Sequence, residues 1–274
     1  MPFEYARPRT LAEASELLNG AGASALAGGT DLMVAIRHRK TRPTLVVDLK
    51  RVEDLDRGIT HDKRRVRIGA RTTMAQIADD EVIRSQFPAL VAAVSVVGSV
   101  QIRNRATLAG NLCNASPAAD TAPALIAFAA TVEIVGAGVT RTVPVSSFFT
   151  GPGMNVLESG DLVTAIEIPI PDPPAGSAFA RVTRRRGVDL ATISLACLVD
   201  AEGGVRFGFG AVGPTPLLAE TSLNDLESKP GWGRLLSVAT PISDVRAGAD
   251  YRRAMLDIHS KRAFEVARAA AGRR

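Results

Sequence analysis

Two short glycine-bearing stretches, far apart in the chain, hold the residues best suited to chemistry. The first reads Gly28-Gly29-Thr30-Asp31 and follows small apolar residues ending in Ala27. Glycine lets backbone N–H groups approach a phosphate that a β-carbon would hold off. A helix beginning near Asp31 would aim further free N–H groups and its positive end at the same anion. The second stretch runs from Thr107 to Pro123, TLAGNLCNASPAADTAP, and reads as a loop. It offers Gly110, the Asn111 amide, the Thr107 and Ser116 hydroxyls and the Asp120 carboxylate, a set that suits the hydroxyls of ribityl or ribose. A pyrophosphate could lie between the two. Tight turns with helix caps use the same residue types, so spacing alone leaves both readings open.

A third glycine cluster, Gly208-Phe209-Gly210-Ala211-Val212-Gly213, matches GxGxxG after a strand. In the dinucleotide fingerprint that pattern opens a strand-helix-strand unit, whereas here it closes an expected antiparallel hairpin and runs into Pro214 and Pro216. It reads as a glycine-rich strand packed closely on another element. A stand-alone NAD-dependent dehydrogenase is the reading this match would otherwise support. Cys113 and Cys197 lie far apart and form no CxxC pair, so an iron-sulfur cluster would have to belong to a partner. His38, His61 and His259 show no metal-ligand spacing. A phosphate-binding lysine motif is missing, and no serine or cysteine has a nucleophile context. The chain carries no expected catalytic residue and no expected metal site.

The formal net charge of +5 and pI near 9.7 raise nucleic acid as a partner. Aromatic residues make up only 4%, and the basic residues are scattered apart from Arg181, Arg184, Arg185 and Arg186 and a charged C-terminal helix, so nucleic acid is not expected. A chain of 274 residues, 46% hydrophobic and 22% charged, can bury a sizeable core in two or three subdomains. No apolar run is long enough to span a bilayer, and Met1-Pro2-Phe3-Glu4-Tyr5 does not open a targeting segment, so a cytoplasmic protein is expected.

The elements that must position these stretches can be read from pattern. Thr10 and Glu13 form a capping box for a helix with Leu11, Ala14, Leu17 and Leu18 on its apolar face and Gly20 beyond it. Thr44–Leu49 reads as a buried strand, and the charged run from Lys50 to Asp62 as a first boundary. Val66–Ala70 reads as a strand, Thr73 with Gln76 as a second capping box, and the residues after Pro88 as a helix. Strands follow at Val132–Val135 and Asp161–Ile170, and the prolines at 169, 171, 173 and 174 mark a second boundary. Ile193–Asp200 and Val205–Gly213 read as a hairpin, and Asp250–Ala270 as a long closing helix. The expected domains are 1–55, 56–171 and 172–274.

At the two loops the chain resembles the FAD-binding medium subunit of the molybdenum hydroxylases, the family of aerobic carbon monoxide dehydrogenase and the flavin domain of xanthine dehydrogenase. The resemblance rests on AGGTDL at Ala27–Leu32 and on QIRNRATLAGNLCNASPAADTAP at Gln101–Pro123. Phe148-Phe149-Thr150-Gly151-Pro152-Gly153, Glu167-Ile168-Pro169, and Ser243-Asp244-Val245-Arg246 leading to Tyr251-Arg252-Arg253 extend it over the whole chain. It implies an α+β fold: a two-part FAD-binding region of the PCMH/VAO type with a C-terminal α+β domain of the CO dehydrogenase flavoprotein type. It implies that Ala27, Gly28, Gly29, Thr30 and Asp31, with Thr107, Leu108, Ala109, Gly110 and Asn111, hold the FAD pyrophosphate, and that Asp120 bonds a sugar-like hydroxyl. Val97 and Gly98 would border the isoalloxazine, Val163 would pack near it, and Arg181 matches a basic position close to the cofactor. Ala109 stands where the family usually has glycine; if that position needs a positive φ, alanine would strain the loop and weaken FAD binding, which would favour a binding or assembly protein with little flavin. The implied partners are a large molybdopterin subunit that oxidises the substrate and a small subunit with two 2Fe-2S clusters, assembled as a dimer of heterotrimers. Electrons would pass from those clusters through FAD to NAD, a quinone or oxygen.

Overall fold

Three short strands, joined by two helical crossovers, make the first sheet. In the computed structural model, which describes residues 3–228 and 230–272, β1 (Glu4–Ala6), β2 (Ala23–Leu26) and β3 (Leu45–Asp48) lie parallel in the order β1-β3-β2. Parallel neighbours need crossovers, supplied by α1 (Leu11–Leu18) and α2 (Leu32–Arg37). The Thr10–Glu13 capping box holds the start of α1.

The second sheet is antiparallel, in the order β4-β5-β10-β6-β7. It comprises β4 (Ile59–His61), β5 (Arg65–Gly69), β6 (Thr131–Gly136), β7 (Val139–Pro144) and, after the small β8 (Phe149–Gly151) and β9 (Met154–Asn155) hairpin, β10 (Leu162–Pro169). Between β5 and β6 the chain winds through α3 (Met74–Asp79), α4 (Glu81–Gln86), α5 (Pro88–Ser95), α6 (Val100–Arg103), α7 (Leu108–Cys113) and α8 (Thr121–Ala127); α9 (Val145–Phe148) follows β7. The Thr73–Gln76 capping box starts α3. Ile68, Ile166, Ile168, Val132 and Ile134 from the sheet meet Phe87, Leu90, Leu108 and Leu125 from the helices in one buried core.

The third sheet, β11 (Gly176–Val182), β12 (Ile193–Val199), β13 (Gly204–Gly210) and β14 (Leu217–Ser222), is an antiparallel meander. After α10 (Leu223–Glu227) and α11 (Gly231–Leu236), the long α12 (Ala249–Ala271) lies across β11 and β12. Strand side chains alternate faces, and β12 is covered on both, so every one of its residues is buried. Ile193, Leu195, Cys197 and Val199 join Phe264 and Leu256 of α12 in one core, while Ala196 and Leu198 join the core of the second sheet. α8 packs on this other face, against β12 and β13. Among the described residues no helix is long and apolar enough to cross a membrane.

The segment Thr107–Pro123 departs from the expected continuous loop: it contains α7 and the start of α8. The Thr107 hydroxyl accepts from the Gly110 N–H as an N-cap, and Leu108 and Leu112, one helical turn apart, are fully buried. Glycine, asparagine and alanine in the same window hide that turn from a reading by composition.

Candidate functional site

The glycine-bearing segments meet one another. A β-carbon on Gly28 would lie 2.1 Å from the Arg105 carbonyl oxygen, so only glycine lets the segment after β2 nest against the approach to α7. Gly29 has φ +76°, in the left-handed region where glycine is favoured. Thr107 pairs with Thr73 in an isolated antiparallel bridge, and the Leu108 N–H donates to the Thr72 carbonyl at 3.4 Å. Three chain segments, 27–29, 71–73 and 105–108, thus converge.

They border a cavity of about 940 Å³, at the upper end of the roughly 300–1,000 Å³ usual for small-molecule sites. Ala27, Gly28, Gly29, Thr30, Asp31, Val97, Gly98, Thr107, Ala109, Gly110, Asn111, Ser116, Asp120 and Val163 all line it. Leu108 does not; it is turned into the core. Arg181 does not either: it stands behind the wall, donating to Asp120 Oδ2 at 2.9 Å, to the Val96 carbonyl at 3.1 Å and to the Asp189 carbonyl at 2.6 Å.

Several polar groups on the wall have spare bonding capacity. Among the described residues, none supplies an acceptor for the N–H groups of Gly29, Thr30, Asp31, Leu32 or Ala109. The Thr121 hydroxyl donates to Asn111 Oδ1 at 2.6 Å, which fixes the amide and leaves Nδ2 without an acceptor among the described residues. Asp120 is buried, and its Oδ1 has no partner among them either. Burial pushes the Asp120 carboxyl up to about 6, opposed by the Arg181 cation. An orphaned buried acceptor is costly unless a ligand hydroxyl completes it. Donors for phosphate on one part of the wall and an acceptor for hydroxyls on another fit the two polar parts of a flavin dinucleotide, and the apolar Val97, Val163 and Leu162 fit its ring.

Ala109 carries no strain. It lies in the first turn of α7 and is not among the positive-φ residues; those nearby are Gly98 (φ 53°) and Ala115 (φ 48°). The condition under which alanine would weaken the site is not met. Val163 reaches the cavity beside a β-bulge: it pairs with Ile134 and Ala165 with Glu133, leaving Thr164 unpaired in the ladder, its hydroxyl donating to the Glu133 carboxylate.

Other wall residues carry no signal of their role in the sequence. Arg71, Cys113 and Asp161 line the cavity, as do Arg185, Val188, Asp189 and Leu190 from the β11–β12 connection. The arginine cluster at 184–186 stands out by composition, but nothing local shows which way that connection folds. GxGxxG lies in the middle of the third sheet, where Gly208 and Gly210 face Pro123 of α8; a β-carbon on Gly208 would sit 2.0 Å from its carbonyl oxygen.

Residues 1–171 match the family described as FAD binding domain in molybdopterin dehydrogenase. The chain is 34% identical to the xanthine dehydrogenase FAD-binding subunit of Escherichia coli O157:H7, over 98% of this chain and 97% of that protein. It is 31% identical to the carbon monoxide dehydrogenase medium chain of Afipia carboxidovorans, with 98% of each covered. The fold superposes on a chain of the carbon monoxide dehydrogenase of Hydrogenophaga pseudoflava with a TM-score of 0.91 at 30% identity, covering 98% of each. The chain belongs to the family of FAD-binding subunits of molybdenum hydroxylases, and it is a flavoprotein subunit of an oxidoreductase of that type.

Proposed function

We propose that the chain holds FAD in the cavity between its two glycine-bearing segments and relays electrons from the 2Fe-2S clusters of a small partner subunit to an external acceptor. A large partner subunit bearing molybdopterin would oxidise the substrate, and the three chains would assemble as a dimer of heterotrimers. The observation that carries this reading is the cavity wall itself, where the donors at Gly29–Leu32 and Ala109 and the acceptor Asp120 Oδ1 have no partner among the described residues. The medium-chain and FAD-binding-subunit names of the relatives support the division of labour.

FAD, when bound, supplies the redox chemistry, and the protein's work is to position it and tune it. In this proposal the N–H groups of Gly29–Leu32 and Ala109 and the Asn111 amide bind phosphate oxygens, with Ala27, Gly28, Thr107 and Gly110 shaping the cradle. Asp120 Oδ1 accepts a sugar-like hydroxyl, Ser116 lies close to it, and Arg181 holds Asp120 from behind. Val97, Gly98 and Val163 form the apolar wall that keeps water from the ring. The chain divides into a parallel unit at 1–55, the helices and second sheet at 56–171, and the third sheet with α12 at 172–274. The assembly-protein alternative depends on strain at Ala109 and has no observation in its favour.

The test is co-expression of the chain with its partner subunits. In the purified complex the clusters and the flavin should both bleach when substrate is added, and an Asp120→Ala, Asn111→Ala double variant depleted of FAD should keep cluster bleaching yet lose transfer to every acceptor. Undiminished transfer in the FAD-depleted complex would show that the relay does not run through this chain.

A further inference from the structure

Arg71 follows β5 at the junction of the three converging segments and is one of the residues that line the cavity. Its bonding is incomplete. Nη1 donates to the Lys50 carbonyl at 2.9 Å, while Nε is buried with no acceptor among the described residues. Two carboxylates in its neighbourhood attract it but form no ion pair with it: Asp54 accepts from the Leu11 N–H, and Asp56 is paired with Arg67 at 3.0 Å. Burial and then the like charge of Arg57 lower the pKa of the guanidinium. A half-buried arginine that makes no ion pair, at the wall of a cavity, is a cation with room for a counter-charge from a ligand.

Its neighbours indicate what that counter-charge is. The Thr72 carbonyl bonds the Leu108 N–H, Thr73 bridges Thr107, and Gly28 packs on Arg105, so Arg71 stands beside both segments that carry unsatisfied N–H groups. We propose that Arg71 is a binding residue for the phosphate groups of the dinucleotide, supplying the side-chain cation that completes the backbone cradle. The assignment rests on the FAD reading above. A guanidinium offers paired donors to phosphate oxygens, and such charge-assisted bonds are about twice as strong as neutral ones. The competing role is purely structural: a tie between the Lys50 carbonyl and the second sheet.

The two roles separate in one experiment. The full chain, purified with its partner subunits where it is not stable alone, is titrated calorimetrically with FAD, with ADP and with riboflavin, which has no phosphate. Wild type, Arg71→Gln and Arg71→Lys are compared, together with their melting temperatures with and without FAD. Arg71→Gln should weaken FAD and ADP by about tenfold, leave riboflavin unchanged, and melt no earlier than wild type without ligand, because a half-buried guanidinium that makes no ion pair has been removed. FAD should then raise its melting temperature less than it does for wild type. Arg71→Lys should recover part of the affinity. Wild-type affinity for FAD and ADP in Arg71→Gln, or an equal loss for riboflavin, would overturn the assignment while leaving the flavin site standing. If wild type binds neither FAD nor ADP, the flavin reading falls and this inference with it.

Discussion

Gly28-Gly29 and Gly208-Phe209-Gly210 look alike as sequence, yet the structure uses them in opposite ways. Around Gly29 the backbone leaves its strand along a cavity wall, and its N–H groups have no acceptor among the described residues. Gly208 and Gly210 lie inside β13, paired to β12, and missing side chains let α8 sit directly on the sheet. Glycine marks a close approach in both places; whether the approaching group is a ligand or the protein itself depends on what lies across from it. Substitutions should therefore divide into those that damage the fold and those that damage the site.

The largest expected effect is on the fold. Gly208→Val forces a β-carbon against the Pro123 carbonyl and should destabilise the chain by about 3 kcal/mol or more, a drop of roughly 6–12 °C in melting temperature for a chain of this size. Calorimetry of the purified variant measures it, and a melting temperature within a degree of wild type would refute the packing role. Gly28→Val should shift the balance the other way, weakening FAD at least about a hundredfold by parting the two segments while costing less in melting temperature than Gly208→Val. A fluorescence titration decides between them.

Asp120 gives an intermediate effect with a defined pH dependence. Its carboxyl titrates near 6 in the folded chain, above its ordinary value, so the proton is held more tightly folded than unfolded. Stability of the ligand-free fold should thus fall as pH rises from about 4 through about 6. A ligand hydroxyl bonded to Oδ1 favours the ionised form, so FAD should bind more tightly above pH 6 and raise the melting temperature more at pH 7.5 than at pH 5. Asp120→Asn should flatten that dependence and weaken FAD by about tenfold; an unchanged pH profile would remove Asp120 from the site. The smallest effect is at Ala109, where glycine should cost about 0.5–1 kcal/mol of helix stability and leave FAD affinity within about twofold. A large gain in affinity for Ala109→Gly would mean the family's usual glycine does more than the α7 backbone requires.

Local signals make much of the fold legible in the sequence. The capping boxes at Thr10 and Thr73, the hairpin through Gly203-Gly204 and the long closing helix are all decided within a few residues of chain. β1 and β2 are not legible, because strands of three and four residues hardly establish a period. α7 is hidden because its helix-forming force comes from Leu108 and Leu112 entering a core that only the folded chain possesses. At the site, the two glycine-bearing stretches stand out as candidates, but Arg71 does not, since its significance depends on carboxylates that pair elsewhere and on a bridge between Thr73 and Thr107. Arg181 is legible as a basic residue near the site and not as a strut, because Val96, Asp120 and Asp189 meet only through the third sheet.

The most direct measurement is an FAD titration of the purified chain, followed by the visible absorbance of bound flavin, beside Gly28→Val and Asn111→Ala. The account predicts saturable binding at one FAD per chain for wild type and much weaker binding for both variants, with Gly208→Val samples that remain folded still binding. No saturable binding by wild type, alone or with its partner subunits, would contradict it, as would variants that bind as wild type does.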